Sequence, residues 1–198
     1  MIKLYPINSG FKSDPVVCND KFMSDEELDL LDSKLIGIST KIAHVRSDHK
    51  TYDDNIRQSR VAFIHDFVSF QWLYQKISIA VHEVNSYNFR KLLYGIEPLQ
   101  YSEYDSLYKG FYGIHSDEFI PEVEGHFQRS LSFSLQLSAE NEYTGGELVI
   151  NFKDKNKIVA NKNRGSITFF DSRLDHEVTP VTSGFRKSLV GWVMGPRV

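Results

Sequence analysis

Nine consecutive residues, Ser130-Leu131-Ser132-Phe133-Ser134-Leu135-Gln136-Leu137-Ser138, alternate polar and apolar without a break. Successive side chains of an extended chain point to opposite faces, so a strand sorts this run into one apolar and one polar face. The pattern predicts a strand with its apolar face in a core and its polar face on a cavity. Further extended candidates surround it: Phe111–Asp117, Glu147–Phe152, Lys157–Ala160, Ser166–Phe170, Glu177–Val181 and Ser188–Met194. Thr144-Gly145-Gly146, Asn163-Arg164-Gly165 and Thr182-Ser183-Gly184 read as turns between them. About eight short strands with no helix between them point to a β-sandwich or jelly roll rather than an α/β sheet.

The chain before Pro98 reads differently. Ser24 and Glu27 have capping-box spacing, and Leu28, Leu31 and Leu35 follow at helical intervals. Leu73, Ile77, Ala80, Val81 and Val84 form one apolar face across Phe70–Ser86, which predicts a second helix. The expected organisation is one domain over 1–198, with 1–97 as helical and strand support and 98–198 as the jelly-roll core. A formal net charge of -3 and no basic, aromatic-rich stripe make nucleic acid an unexpected partner. The lone Cys18 excludes an intramolecular disulfide, and the sequence carries no leader-like start and no bilayer-length apolar run. A cytoplasmic protein without a membrane segment is expected. Oligomeric state is not legible.

His115-Ser116-Asp117 puts two potential ligands at i and i+2 of an extended segment, on the same face. His176, between two apolar strand candidates, is the best third ligand. Two histidines and one carboxylate on one face of an octahedron leave three positions open, as in non-haem iron(II) oxygenases. A zinc hydrolase uses the same ligand types, so the triad alone leaves the metal open. Arg186, ten residues after His176, favours the oxygenase. A dicarboxylate chelating iron at one end needs a cation for the other, and Arg186, aided by Ser188 two residues on, supplies paired hydrogen bonds.

These residues sit in a longer ordered set. It runs through Tyr104, Gly110-Phe111-Tyr112-Gly113-Ile114-His115-Ser116-Asp117, Arg129-Ser130-Leu131-Ser132 and Tyr143-Thr144-Gly145-Gly146-Glu147-Leu148. It continues through Gly165-Ser166-Ile167-Thr168-Phe169-Phe170-Asp171-Ser172, His176-Glu177-Val178-Thr179-Pro180-Val181 and Gly184-Phe185-Arg186 to Trp192. In order and spacing the set resembles the prolyl-4-hydroxylase-like branch of the 2-oxoglutarate/iron(II) dioxygenases, including its bacterial and phage members. The resemblance covers roughly Leu99–Val193, with a weaker upstream part through Ile56-Arg57-Gln58-Ser59 and the Trp72-Leu73 helix.

The resemblance implies a double-stranded β-helix, mainly β with flanking helices, braced by the N-terminal helices along its larger sheet. It implies His115, Asp117 and His176 as iron ligands and Arg186 as the residue binding the distal carboxylate of 2-oxoglutarate. Tyr104, Gln136, Ser188 and Trp192 fall at or near cosubstrate-pocket positions. Gln136 is a departure, standing where some relatives have a tyrosine hydroxyl. Arg129 and Tyr112 fall towards the substrate mouth. Iron(II), 2-oxoglutarate and dioxygen are the implied cofactors, with ascorbate as a reductant. The implied reaction couples decarboxylation of 2-oxoglutarate to succinate with hydroxylation of a prolyl residue in a peptide or protein. The same chemistry on a free amino acid, small molecule or nucleobase is the first alternative, and a non-catalytic cupin-like binding module the second. His126 reads as a loop histidine, and His44, His49, His65 and His82 as surface or satisfied ones. Ser47–Asn55 and Phe119–Gln128 read as substrate loops, with Arg57 and Ser59 at the edge of the first.

Overall fold

The computed structural model describes residues 14–43, 55–118, 127–152 and 156–197. In chain order these form β1 (Val16–Asn19), α1 (Asp25–Leu35), β2 (Lys41–Ile42), β3 (Arg57–Gln58), β4 (Arg60–Phe63) and α2 (Gln71–Val84). Then come β5 (Gly95–Ile96), β6 (Gln100–Asp105), β7 (Phe111–His115), β8 (Phe127–Gln136), β9 (Tyr143–Gly145) and β10 (Leu148–Phe152). The chain ends with β11 (Asn156–Val159), β12 (Ile167–Asp171), β13 (His176–Val178) and β14 (Val181–Pro196). No described helix is long and apolar enough to cross a membrane.

The strands make two antiparallel sheets. The larger runs β1-β12-β8-β14-β6-β4-β2, with β5 and β9 also on β14; the smaller runs β11-β10-β13-β7-β3. This is a jelly-roll architecture, one of the two that the succession of short strands points to and the one that the resemblance implies. β8 realises it residue by residue. Leu131, Phe133 and Leu135 are fully buried in the main core. Ser132, Ser134 and Gln136 point the other way, between the sheets, and are buried as well.

The main core lies between the larger sheet and the helices. Ser24 caps α1 reciprocally: its hydroxyl accepts from the Glu27 N–H at 3.3 Å, and the Glu27 carboxylate accepts from the Ser24 N–H at 2.9 Å. Leu28, Leu31 and Leu35 of α1 and Leu73, Ile77 and Val81 of α2 join Phe133, Ile167, Phe169 and Leu189 in one cluster. Each such side chain contributes roughly 1.5–3 kcal/mol when taken out of water. The helices therefore hold the larger sheet from behind and leave its other face for the site.

Two features differ from the sequence expectation. Thr182-Ser183-Gly184 does not separate strands: β14 runs through it, with a register shift between Val181 and Ser183. Gly184 permits this, at φ +73, where an added Cβ would stand 1.9 Å from the Glu142 carbonyl oxygen. The first half of the chain also does more than brace the barrel. β1 pairs with β12 and β4 with β6 in the larger sheet, and β3 pairs with β7 in the smaller. Of the two loop expectations, only Asn55 and Phe127–Gln128 lie within the described residues, and Phe127 and Gln128 begin β8. His44, His49 and His126 lie outside them; His65 and His82 are exposed.

Candidate metal centre and its cavity

His115 closes β7, His176 opens β13, and the ladder between those strands sets them directly opposite each other. Their ring centroids are 4.2 Å apart. Asp117 follows two residues beyond His115, and its N–H donates to the Ser172 carbonyl at 2.8 Å, which fixes the path of the chain out of β7. The carboxylate then reaches both rings, with Oδ1 3.8 Å from His115 Nε2 and Oδ2 3.4 Å from His176 Nε2. Ligand atoms from the three residues all lie within 4.8 Å of one another.

The other nitrogen of each ring is committed. His115 Nδ1 bonds the Gly113 carbonyl at 2.8 Å and His176 Nδ1 bonds the Leu174 carbonyl at 2.9 Å. A carbonyl only accepts, so Nδ1 carries the proton in both rings. In the neutral rings Nε2 is then a bare lone pair facing Asp117. Backbone carbonyls that fix the tautomer in this way are what metal-binding histidines ordinarily have behind them. Tyr112 holds the first ring in place by stacking on it, centroids 3.5 Å apart and planes 17° apart.

The electrostatics match a cation site. Burial, with help from neighbouring His176, lowers His115 to about 4, so this ring is neutral near pH 7. Burial alone would also lower His176, but the hydrogen bond and charge of Asp117 outweigh it and the net direction is up. Burial alone would raise Asp117, yet the same His176 interaction, His115 and Ser132 hold its carboxyl well below the usual carboxylate range. Asp117 Oδ2 is nevertheless buried without an aligned hydrogen bond. One divalent cation between the two Nε2 lone pairs and this carboxylate would satisfy all three groups.

The triad opens into a cavity of about 570 Å³ lined by both sheets. At its inner end Arg186 is 3% exposed, and no carboxylate among the described residues lies within salt-bridge distance of it. Its Nη1 donates to Ser188 Oγ at 3.3 Å, its guanidinium lies 5.3 Å from the Tyr104 ring centroid, and its Nε is buried without a partner. A buried guanidinium without a counter-charge is costly, and a ligand carboxylate answers that cost directly. Gly146 makes room for it: at φ +62, an added Cβ would come within 3.0 Å of Arg186 Cδ.

The remaining expected residues fall around the same cavity. Tyr104, Tyr112, Ser188 and Trp192 line it. Arg129 also lines it, but its charge is engaged: it bonds Glu97 through Nε at 2.9 Å and Nη2 at 2.7 Å while stacking 3.7 Å over Trp192. Gln136 lies deeper, beside Arg186, with its amide donating to the Ser138 carbonyl and the Tyr143 hydroxyl. Arg57 is buried, not on an open loop edge. β3 carries it against β7, with its guanidinium 4.3 Å from the Tyr112 ring centroid and Nη2 unpartnered. Sequence reasoning missed Tyr143 and Glu97. Neither carries a local signal, since each acquires its role from a residue on another strand.

Residues 99–194 match the profile of the 2OG-Fe(II) oxygenase superfamily. A PKHD-type hydroxylase of Crocosphaera subtropica is 37% identical over 98 residues, covering 50% of this chain and 43% of that protein. One from Gloeothece citriformis is 41% identical over 83 residues, covering 41% and 36%. The matched stretch thus spans less than half the length of these relatives. Among solved structures, a Pseudomonas putida prolyl-4-hydroxylase superposes with TM-score 0.72 at 19% identity, covering 92% of this chain and 94% of that one. A Trichoplax adhaerens prolyl hydroxylase, in complex with a hypoxia inducible factor oxygen degradation domain peptide fragment, gives TM-score 0.70 at 15% identity, covering 91% and 84%. At these identities the likeness is one of fold.

Proposed function

We propose, from the match of residues 99–194 to the 2OG-Fe(II) oxygenase superfamily, that the chain is a 2-oxoglutarate- and iron(II)-dependent hydroxylase. His115, Asp117 and His176 would hold the iron and Arg186 the distal carboxylate of 2-oxoglutarate, with Ser188 and Tyr104 beside it. When bound, iron and 2-oxoglutarate with dioxygen supply the oxidising power, leaving carbon dioxide, succinate and one oxygen atom in a substrate C–H bond.

The chain's own residues do the rest. The Gly113 and Leu174 carbonyls keep both imidazoles in the ligating tautomer, and Ser132 and Ser172, 2.9 Å apart, close the space beside Asp117. Tyr112, Phe170 and Trp192 line the cavity with apolar surface beside the triad. The observation that carries the reading is Arg186: a buried guanidinium without a counter-charge, in the cavity of a His/Asp/His triad, is matched by the free carboxylate of a chelating dicarboxylate.

The substrate we propose is a prolyl residue in a peptide or protein, supported by the names of the similar proteins and by the peptide complex of one of them. Arg57 favours a second reading, a small substrate bearing its own carboxylate, because its buried Nη2 lacks an acceptor. Succinate formation by the iron(II)-loaded protein, with proline-containing peptides in one arm and free amino acids in the other, tests both. Stimulation by peptides alone supports the first reading and stimulation by free acids alone the second. Absence of iron-dependent succinate in every arm refutes the enzyme assignment.

A further inference from the structure

We propose that Tyr143 is a second donor to the distal carboxylate of 2-oxoglutarate, held in that role by Gln136; this rests on the hydroxylase reading above. The case is one of counting donors and acceptors. The Gln136 Nε2 amine has two N–H groups, and both are spent: one on the Ser138 carbonyl at 3.0 Å, the other on the Tyr143 hydroxyl oxygen at 3.0 Å. The carbonyl partner fixes which end of the amide is nitrogen, since an amide oxygen cannot bond a carbonyl. Tyr143 Oη is therefore the acceptor in its bond with Gln136, and its own O–H points elsewhere. No described residue accepts that proton.

Arg186 adds to the surplus. β9 pairs with β14 so that Tyr143 lies opposite Gly184, two residues from Arg186, and the two side chains line the same small recess, where the guanidinium's charge acts on the hydroxyl. A guanidinium only donates. Tyr143 and Arg186 thus border one recess, both 3% exposed, and no described residue accepts from the Tyr143 O–H or the Arg186 Nε–H. Buried donors left this way cost free energy until an acceptor arrives, and two donors beside a cation select an anion. The recess they border holds about 10 Å³, room for one oxygen atom, and shares Ser134, Leu148 and Arg186 with the main cavity. A carboxylate entering past the triad has one oxygen to place there.

The sequence departure at 136 acquires a reason. The amide at 136 orients a hydroxyl that residue 143 supplies from another strand. Gln136 is then a positioning residue and Tyr143 a binding one.

The test is calorimetric titration of the manganese(II)-loaded full chain with 2-oxoglutarate and, separately, with 2-oxovalerate, which keeps the chelating oxo-acid end and lacks the distal carboxylate. Tyr143→Phe is expected to weaken 2-oxoglutarate about ten-fold and leave 2-oxovalerate unchanged. Gln136→Leu is expected to lower the same preference by less, and the double variant no further than Tyr143→Phe alone. A general packing defect would weaken both ligands together. A Tyr143→Phe preference equal to wild type overturns the proposal, including the case in which a trapped water takes the hydroxyl proton. Should that variant fail to fold, Gln136→Leu decides, and an unchanged preference there overturns it equally. Wild type unable to prefer 2-oxoglutarate over 2-oxovalerate would instead overturn the hydroxylase reading on which this one rests.

Discussion

Arg186→Met separates binding from stability. Methionine fills most of the space of the arginine stem and carries no charge. The lost ligand interaction is a pair of charge-assisted hydrogen bonds, roughly 1.5–3 kcal/mol each, so affinity for 2-oxoglutarate should fall between about a hundred-fold and ten-thousand-fold. Folding should respond in the opposite sense. The guanidinium is 3% exposed and has no acid partner among the described residues, so removing it relieves a desolvation cost of several kcal/mol. Against that stand the ring contact with Tyr104 at 5.3 Å, roughly 0.5–2 kcal/mol, and the bond to Ser188, roughly 1 kcal/mol. The ligand-free variant is expected to match wild type or exceed it by about 1–2 kcal/mol in urea denaturation. With manganese(II) present, wild type should gain roughly 2.7 kcal/mol at 2-oxoglutarate a hundred times its Kd, and the variant almost nothing. A variant that loses more than about 2 kcal/mol without ligand yet binds 2-oxoglutarate normally would make Arg186 a structural residue and refute the reasoning.

Three further outcomes follow from single positions. Gly146→Ala, at φ +62 with its new methyl 2.9 Å from Val181 and 3.0 Å from Arg186, should destabilise by about 1–3 kcal/mol in chemical denaturation and weaken 2-oxoglutarate in the same titration. Ser24→Ala removes the hydroxyl half of the α1 capping box, leaving the Ser24 N–H on the Glu27 carboxylate, and should cost about 1 kcal/mol by urea unfolding, with 2-oxoglutarate affinity unchanged. Asp171 contributes to the acid limit. Burial alone would raise it, but Arg173 and Lys91, at 2.8 and 2.7 Å, bring it from 3.8 to about 2. A depressed folded-state value means stability fully present above about pH 4 and lost as pH falls towards 2. Allowing for solvent screening, wild type should exceed Asp171→Asn by on the order of 1 kcal/mol at pH 6, and thermal melts should show that difference vanish by about pH 2.

What the sequence made legible follows periodicity and local chemistry. β8 announces itself because its two faces differ in polarity at period two, and both faces were then put to use, one in the core and one on the cavity. α1 carries its own start signal in Ser24 and Glu27. The triad could be suggested from the His115-Ser116-Asp117 spacing, but the pairing of His115 with His176 is a fact of the β7–β13 register that no local pattern contains. β2 and β3 have two residues each, too few to show a period, and exist only through the strands they join. The path of β14 through Gly184 reads as a turn because positive φ is turn chemistry in most contexts; here it serves close approach to the Glu142 carbonyl. Glu97 and Tyr143 were hidden for the same reason, and Arg57, read at a loop edge near the cavity, lies in β3 with its side chain buried. An arginine, a glutamate or a tyrosine becomes part of a site through what faces it, and facing is set by tertiary structure.

The central claim is that this chain uses iron, 2-oxoglutarate and dioxygen together, and isotopic oxygen tests it most directly. Iron(II)-loaded protein would be given 2-oxoglutarate under oxygen-18 gas and the succinate weighed by mass spectrometry, with Asp117→Ala alongside. One labelled oxygen atom per succinate in wild type, and no labelled succinate from the variant, is the expected result. Absence of succinate from wild type, or labelled succinate formed equally by Asp117→Ala, would contradict it.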